Sequence, residues 1–97
     1  MPAVTSVLKA LSNPNRRKVY QLVCRRAGRR SRGITIEDLC KASGMKQPAV
    51  SHHVARLAAA GLVSRRKSGW WVYCAPAPGG MEALARFVRD PASFAVK

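Results

Sequence analysis

The sequence predicts a small, mainly α-helical domain of about five helices carrying one β-hairpin, and three observations predict it. Apolar residues recur at spacings of three and four over most of the chain. Helix starts are marked at Asn13-Pro14, at Thr35 with Asp38, and at Gln47-Pro48. Only the stretch 62–74 is β-rich, and it surrounds a glycine turn.

In chain order, Val4, Val7, Leu8 and Leu11 give the first helix its apolar stripe. Asn13 then serves as N-cap with Pro14 at the first helical position, so a second helix runs to about Ala27, where Gly28 stops it. It turns Val19, Leu22 and Val23 inward and Arg16, Arg17, Lys18, Arg25 and Arg26 largely outward. The stretch 28–33 has nothing apolar to anchor it and reads as an exposed basic loop, with Ile34 in a short strand after it. Thr35, with Asp38 in place of the usual Glu or Gln, makes a capping-box-like start for a short helix that buries Ile36, Leu39 and Cys40 and ends at Gly44. After a tight turn at Met45-Lys46, Gln47-Pro48 opens a further helix with the stripe Val50, Val54 and Leu57, closing at Gly61. Two short helices joined by a Gly-containing turn form a helix-turn-helix. Residues 62–67 and 70–74 are the arms of a hairpin around Ser68-Gly69, and this is the wing. Residues 75–80 read as a linker, and a last helix from Met81 to about Arg89 carries Met81, Leu84, Phe87 and Val88 on one face.

With 97 residues there is material for one core, and the 47% hydrophobic content is that of a globular fold. The whole chain is therefore read as a single winged-helix domain. No apolar run reaches the roughly 18 residues of a membrane span, and the N-terminus lacks the charged start of a secretory signal, so a cytoplasmic location is expected. Eighteen Lys plus Arg against four Asp plus Glu leave a net charge of +14, self-repulsive unless a polyanion balances it. Nucleic acid is the partner this favours. A basic amphipathic membrane binder would concentrate its charge on one helix, whereas here it is spread between apolar segments.

At 100° per residue, the helix opened by Gln47 places Ser51, His52, Ala55, Arg56 and Ala59 opposite Val50, Val54 and Leu57. Small residues there let the helix approach base edges, and Gln47, Ser51, His52 and Arg56 offer the hydrogen-bonding groups a major groove requires. The bland alternative is a solvated polar face; the charge and the basic wing weigh against it. His53 projects nearer the core edge, where packing explains it. Lys46 at the turn and Arg65, Arg66 and Lys67 on the wing complete the candidate DNA-binding set.

Three blocks in order, Ala10-Leu11-Ser12-Asn13-Pro14-Asn15-Arg16, then Gln47-Pro48-Ala49-Val50-Ser51-His52-His53-Val54 with Leu57 and Ala60-Gly61-Leu62-Val63, then Gly69-Trp70-Trp71-Val72-Tyr73, resemble the ArsR/SmtB family of winged-helix transcription regulators. The resemblance covers roughly positions 5 to 75. It implies a homodimer, paired through its first and last helices, that represses transcription by placing two recognition helices in successive major grooves of an inverted-repeat operator in double-stranded DNA. It assigns Val4, Val7, Leu8, Leu84, Phe87 and Val88 to the dimer interface, and Gln47, Ser51 and His52 to base reading. Trp70 stands where the family often has a basic wing residue, which turns the tip toward sugar or an apolar surface rather than phosphate.

Metal-sensing members use a cysteine cluster before the recognition helix, or His and carboxylate ligands in the last helix. Here the first region holds only Cys40 and the last helix only Glu82, so no metal and no cofactor is expected. Cys24, Cys40 and Cys74 are odd in number and widely spaced, which suits reduced thiols, at least two of them in the core. Arg25 and Arg26 beside Cys24 leave open a thiol-based sensor in which Cys74 is the partner. Ser51 and His52 are adjacent on a helix and do not face each other, and no other acid–base pair is spaced for catalysis, so no enzyme is expected. The rival reading is a nonspecific architectural DNA-binding or RNA-binding protein, for which the charge alone suffices. A protein-interaction module on the same fold is disfavoured by that charge.

Overall fold

The computed structural model describes residues 3–27 and 32–93. The order is α1 (Val4–Ser12), α2 (Pro14–Ala27), β1 (Ile34–Thr35), α3 (Ile36–Ser43), α4 (Gln47–Ala59), β2 (Val63–Ser68), β3 (Trp71–Pro76) and α5 (Pro78–Arg89), with a 3₁₀ turn at Pro91–Ser93. Five helices with a small antiparallel sheet are the winged helix-turn-helix expected. The loop expected at 28–33 lies, except for Arg32 and Gly33, outside the described residues, as does Gly28.

The cap signatures act as the residue chemistry requires. The Asn13 side-chain oxygen accepts the Arg16 N–H at 3.0 Å, and Thr35 Oγ1 accepts the Asp38 N–H at 3.0 Å, each filling one of the orphan donors of a first turn. Gly44 ends α3, its N–H donating to the Cys40 carbonyl at 2.9 Å. Val7, Val19, Val23, Leu39, Val50, Val54, Leu57 and Leu62 are sealed in one core, each contributing about 1.5–3 kcal/mol by leaving water. Leu22, Ile36 and Cys40 pack at its margin, and Tyr20 joins it.

Three expectations change. The sheet has three strands in the order β1-β3-β2, and Ser68 pairs with Trp71, so the turn is Gly69-Trp70, one residue later than expected. Gly69 has φ +60° and Trp70 a negative φ, the signs of a type II′ turn, which needs glycine at its first central position. Residues 75–80 are no linker: β3 continues to Pro76 and α5 begins at Pro78. The Ala77 N–H donates to the Leu62 carbonyl, so the Val63–Pro76 pair next to it is a non-hydrogen-bonded one and asks no N–H of the proline. Gly80 then docks α5 on the end of α4, its N–H on the Gly61 carbonyl at 2.8 Å, where a Cβ would stand 2.7 Å from the Ala60 carbonyl oxygen. Finally, Val7 is 0% exposed within the chain, which makes it core and removes it from the expected dimer surface.

Candidate nucleic-acid interface

The turn between α3 and α4 decides where α4 points, and its bracing is polar. Ser43, buried, accepts the Met45 N–H through its hydroxyl at 3.1 Å, and Lys18 Nζ of α2 donates to the Ser43 carbonyl at 3.1 Å. Val50, Val54 and Leu57 then bolt α4 to the core, leaving Gln47, Ser51, His52, Ala55, Arg56 and Ala59 exposed. Lys46 stands at the N-cap and supplies no side-chain acceptor. The positive end of α4 is thus open to an anion beside the Lys46 ammonium.

Beside that end an open cleft of about 570 Å³ runs between α3, α4 and the hairpin, lined among others by Glu37, Lys46, Gln47, Ser51, Trp70 and Trp71. The wing tip therefore shares one open cleft with the start of α4, and Trp70, 96% exposed, leads it. Trp71 also belongs to this cleft, a placement outside the sequence expectations; strand alternation alone does not reveal which face of a hairpin turns toward a helix.

The wing cations do not form one patch. Arg65, Arg66 and Lys67 are all exposed, but successive strand residues point to opposite faces, so Arg66 is opposed to Arg65 and Lys67. Arg66 lies across from Tyr73 with its guanidinium carbon 5.5 Å from the ring centroid, a cation–π contact. Arg56 is also set apart: it lines a different cleft, with Lys9 and Arg16, away from Gln47 and Ser51. His52 is exposed, with its ring centroid 5.9 Å from that of His53. His53 is half-buried, and burial first, then the charges of Arg16 and His52, holds it below the usual histidine pKa.

The helices that carry the expected interface residues lie together, α1 packing against α5. Leu8 and Val88 are exposed there, Val88 by 69%, while Val4, Leu84 and Phe87 are half-buried. Of the thiols, only Cys74 is fully buried, whereas Cys24 and Cys40 lie half-buried against the core; all three are free. Burial pushes the Cys74 thiol up to about 11 against the opposite pull of Arg65. A thiol so raised and sealed is a poor nucleophile, which opposes pairing it with Cys24 as a redox couple. Tyr20 is pushed up to about 12 by burial and then by its hydrogen bond with Cys24. Among the described residues there is no cluster of three or more His, Cys, Asp or Glu placed to hold a metal, and no helix long and apolar enough to cross a membrane.

Comparison with known proteins places this geometry among others of its kind. A helix-turn-helix domain family matches residues 11–66. A protein named as an arsenical resistance operon repressor from Halobacterium salinarum is 43% identical over 70 residues, which are 72% of this chain and 56% of that protein. The chain thus spans little more than half the length of that relative. The homodimeric winged helix-turn-helix DNA-binding domain from Mycobacterium bovis, described as a possible ArsR-family regulator, superposes with a TM-score of 0.69 at 26% identity, over 97% of this chain and 82% of that one. A crystal structure of a possible transcriptional regulator for arsenical resistance gives a TM-score of 0.71 at 29% identity, over 93% of this chain and 86% of that one.

Proposed function

Because the chain belongs to the helix-turn-helix domain family, as an ArsR-like winged helix-turn-helix regulator, we propose that it is a homodimeric, sequence-specific repressor of transcription that binds an inverted-repeat operator in double-stranded DNA. The observation that carries this reading is the shared cleft of Gln47, Ser51 and the wing tip, beside an α4 N-terminus open to phosphate. Gln47, Ser51 and His52 read base edges from the first half of α4, where short side chains allow close approach. Lys46, Arg65, Arg66 and Lys67 meet phosphates and fix register without reading sequence. The exposed face of Leu8 and Val88, with Val4, Leu84 and Phe87 at its margin, pairs with a second copy and sets the half-site spacing. The protein acts in the cytoplasm, without catalysis, a resident metal or a cofactor.

Selection of bound fragments from random duplex DNA tests this directly. The expected product is an inverted repeat with half-sites about one helical turn apart. Recovery of fragments with no enriched motif would replace this reading with a nonspecific DNA- or RNA-binding protein.

A further inference from the structure

Arg56 lies nine residues beyond Gln47, about 13 Å along the axis of α4. There the helix meets α1 and the first turn of α2, and a separate cleft of about 160 Å³ opens between them. Lys9 of α1, Arg16 of α2 and Arg56 of α4 converge on it, joined by Ser6. The other lining residues are Ala10, Ala59 and Ala60, whose single methyl groups leave the space empty, and among the described residues no carboxylate lines it.

Three cations brought from three helices to one cleft repel one another, in a chain already at +14. One of them is also unsatisfied: Arg16 Nε is buried and has no hydrogen-bond partner. A guanidinium cannot relieve that by losing a proton, so an unmade bond there carries the penalty of a charged donor. Its neighbour His53 has a buried, unpartnered Nδ1, and the charge of Arg16 is among the causes that keep this imidazole neutral. What the lining of the cleft lacks is a counter-charge for Lys9, Arg16 and Arg56.

We propose that this cleft is an oxyanion site for the phosphate class, in which the forked donors of Arg16 and Arg56 each take an oxygen edge and Lys9 supplies a point charge. The matching of guanidinium forks to tetrahedral oxyanions favours phosphate over a halide. Two sources carry that chemistry: a free phosphate or phosphomonoester, and a phosphodiester of DNA that reaches past the groove read by Gln47 and Ser51. The first source stands whether or not the DNA reading does.

The arginine Nε–Hε resonances of the full chain, followed by NMR, report on the site. Inorganic phosphate is titrated at constant ionic strength against a chloride reference, and a short duplex is titrated separately. The Arg16 resonance is expected to shift saturably with phosphate and not with chloride, and His53 to titrate at higher pH once phosphate is bound. Lys9→Gln and Arg56→Gln, both at exposed positions, should each weaken phosphate about tenfold, as removal of one charge-assisted hydrogen bond does. Saturation with duplex alone assigns the site to the DNA backbone. Saturation with phosphate in a protein that binds no duplex keeps this site and removes the operator reading. Absence of a saturable Arg16 shift in both titrations, or affinities unchanged in both variants, overturns the proposal.

Discussion

The α3–α4 turn and the β2–β3 hairpin are both short connections that present polar residues, yet they are held by different forces. The turn is tied down by Ser43 and Lys18 and by a helix with Val50, Val54 and Leu57 sealed behind it. The hairpin has Val63 and Cys74 as its fully buried side chains, with Ser64, Arg65, Arg66, Lys67, Trp70 and Trp71 exposed. Beyond those two anchors it is held by its ladder, the Arg66–Tyr73 contact, a two-residue strand at its edge and the packing of its strands against α2, α3 and α4. A group that must distinguish base edges needs its position fixed to within a hydrogen bond's tolerance, whereas a cation near phosphate works over a range of distances. The braced element is therefore suited to reading sequence and the projecting one to supplying charge.

The largest expected effect is on the braced side. Leu57→Ala should lower unfolding free energy by about 2–5 kcal/mol in denaturant melts, because a fully buried leucine leaves a cavity between α4 and the body. A drop below about 1 kcal/mol, as for a surface change, would mean α4 is not bolted down as described.

Alkaline pH probes two buried side chains, one in α2 and one in β3. Tyr20 and Cys74 hold their protons more tightly folded than unfolded, so the stability they contribute is whole below about 9, the ordinary thiol value. It is lost as pH rises toward about 11 for Cys74 and about 12 for Tyr20. Urea midpoints should be lower at pH 10 than at pH 7, and Cys74→Ala should flatten the earlier part of that decline. A decline that is unchanged in Cys74→Ala would locate the effect elsewhere.

Ser51→Ala and His52→Ala should each cost operator binding about 1–3 kcal/mol while leaving scrambled duplex nearly unaffected, since each removes a base-edge contact and no phosphate contact. Trp70→Ala is the smallest change for the fold. With 96% of the indole exposed, the melting free energy should move by less than about 0.5 kcal/mol, while quenching of tryptophan emission by duplex DNA should fall. Unaltered quenching would place the wing tip away from DNA and weaken the shared-cleft geometry.

Elements announced by local chemistry were legible in the sequence. Asn13-Pro14, Thr35 with Asp38, and Gly44 fix helix ends through bonds made within three or four residues, so they could be read one segment at a time. The stripe Val50, Val54 and Leu57 likewise marked the buried face of α4 correctly. What escaped depended on distant partners. The start of α5 three residues early rests on Gly80 meeting Gly61, and the core position of Val7 on α1 lying across the body. Arg56 projected to the polar face of α4 as expected, but its company there, Lys9 and Arg16, comes from two other helices. The cleft that Trp70 and Trp71 share with Gln47 is of the same kind, since no spacing within a hairpin states which helix it will face.

The division of labour between α4 and the wing is tested most directly by binding isotherms across a range of salt, on operator and scrambled duplex, for wild type, Ser51→Ala and Lys67→Ala. Ser51→Ala should reduce the operator-to-scrambled ratio and leave the slope of log affinity against log salt unchanged. Lys67→Ala should weaken both duplexes alike and flatten that slope by about 0.9, because one phosphate is no longer neutralised and one fewer counterion is released. Equal losses on both duplexes in both variants would contradict the account, because α4 would then contribute only charge.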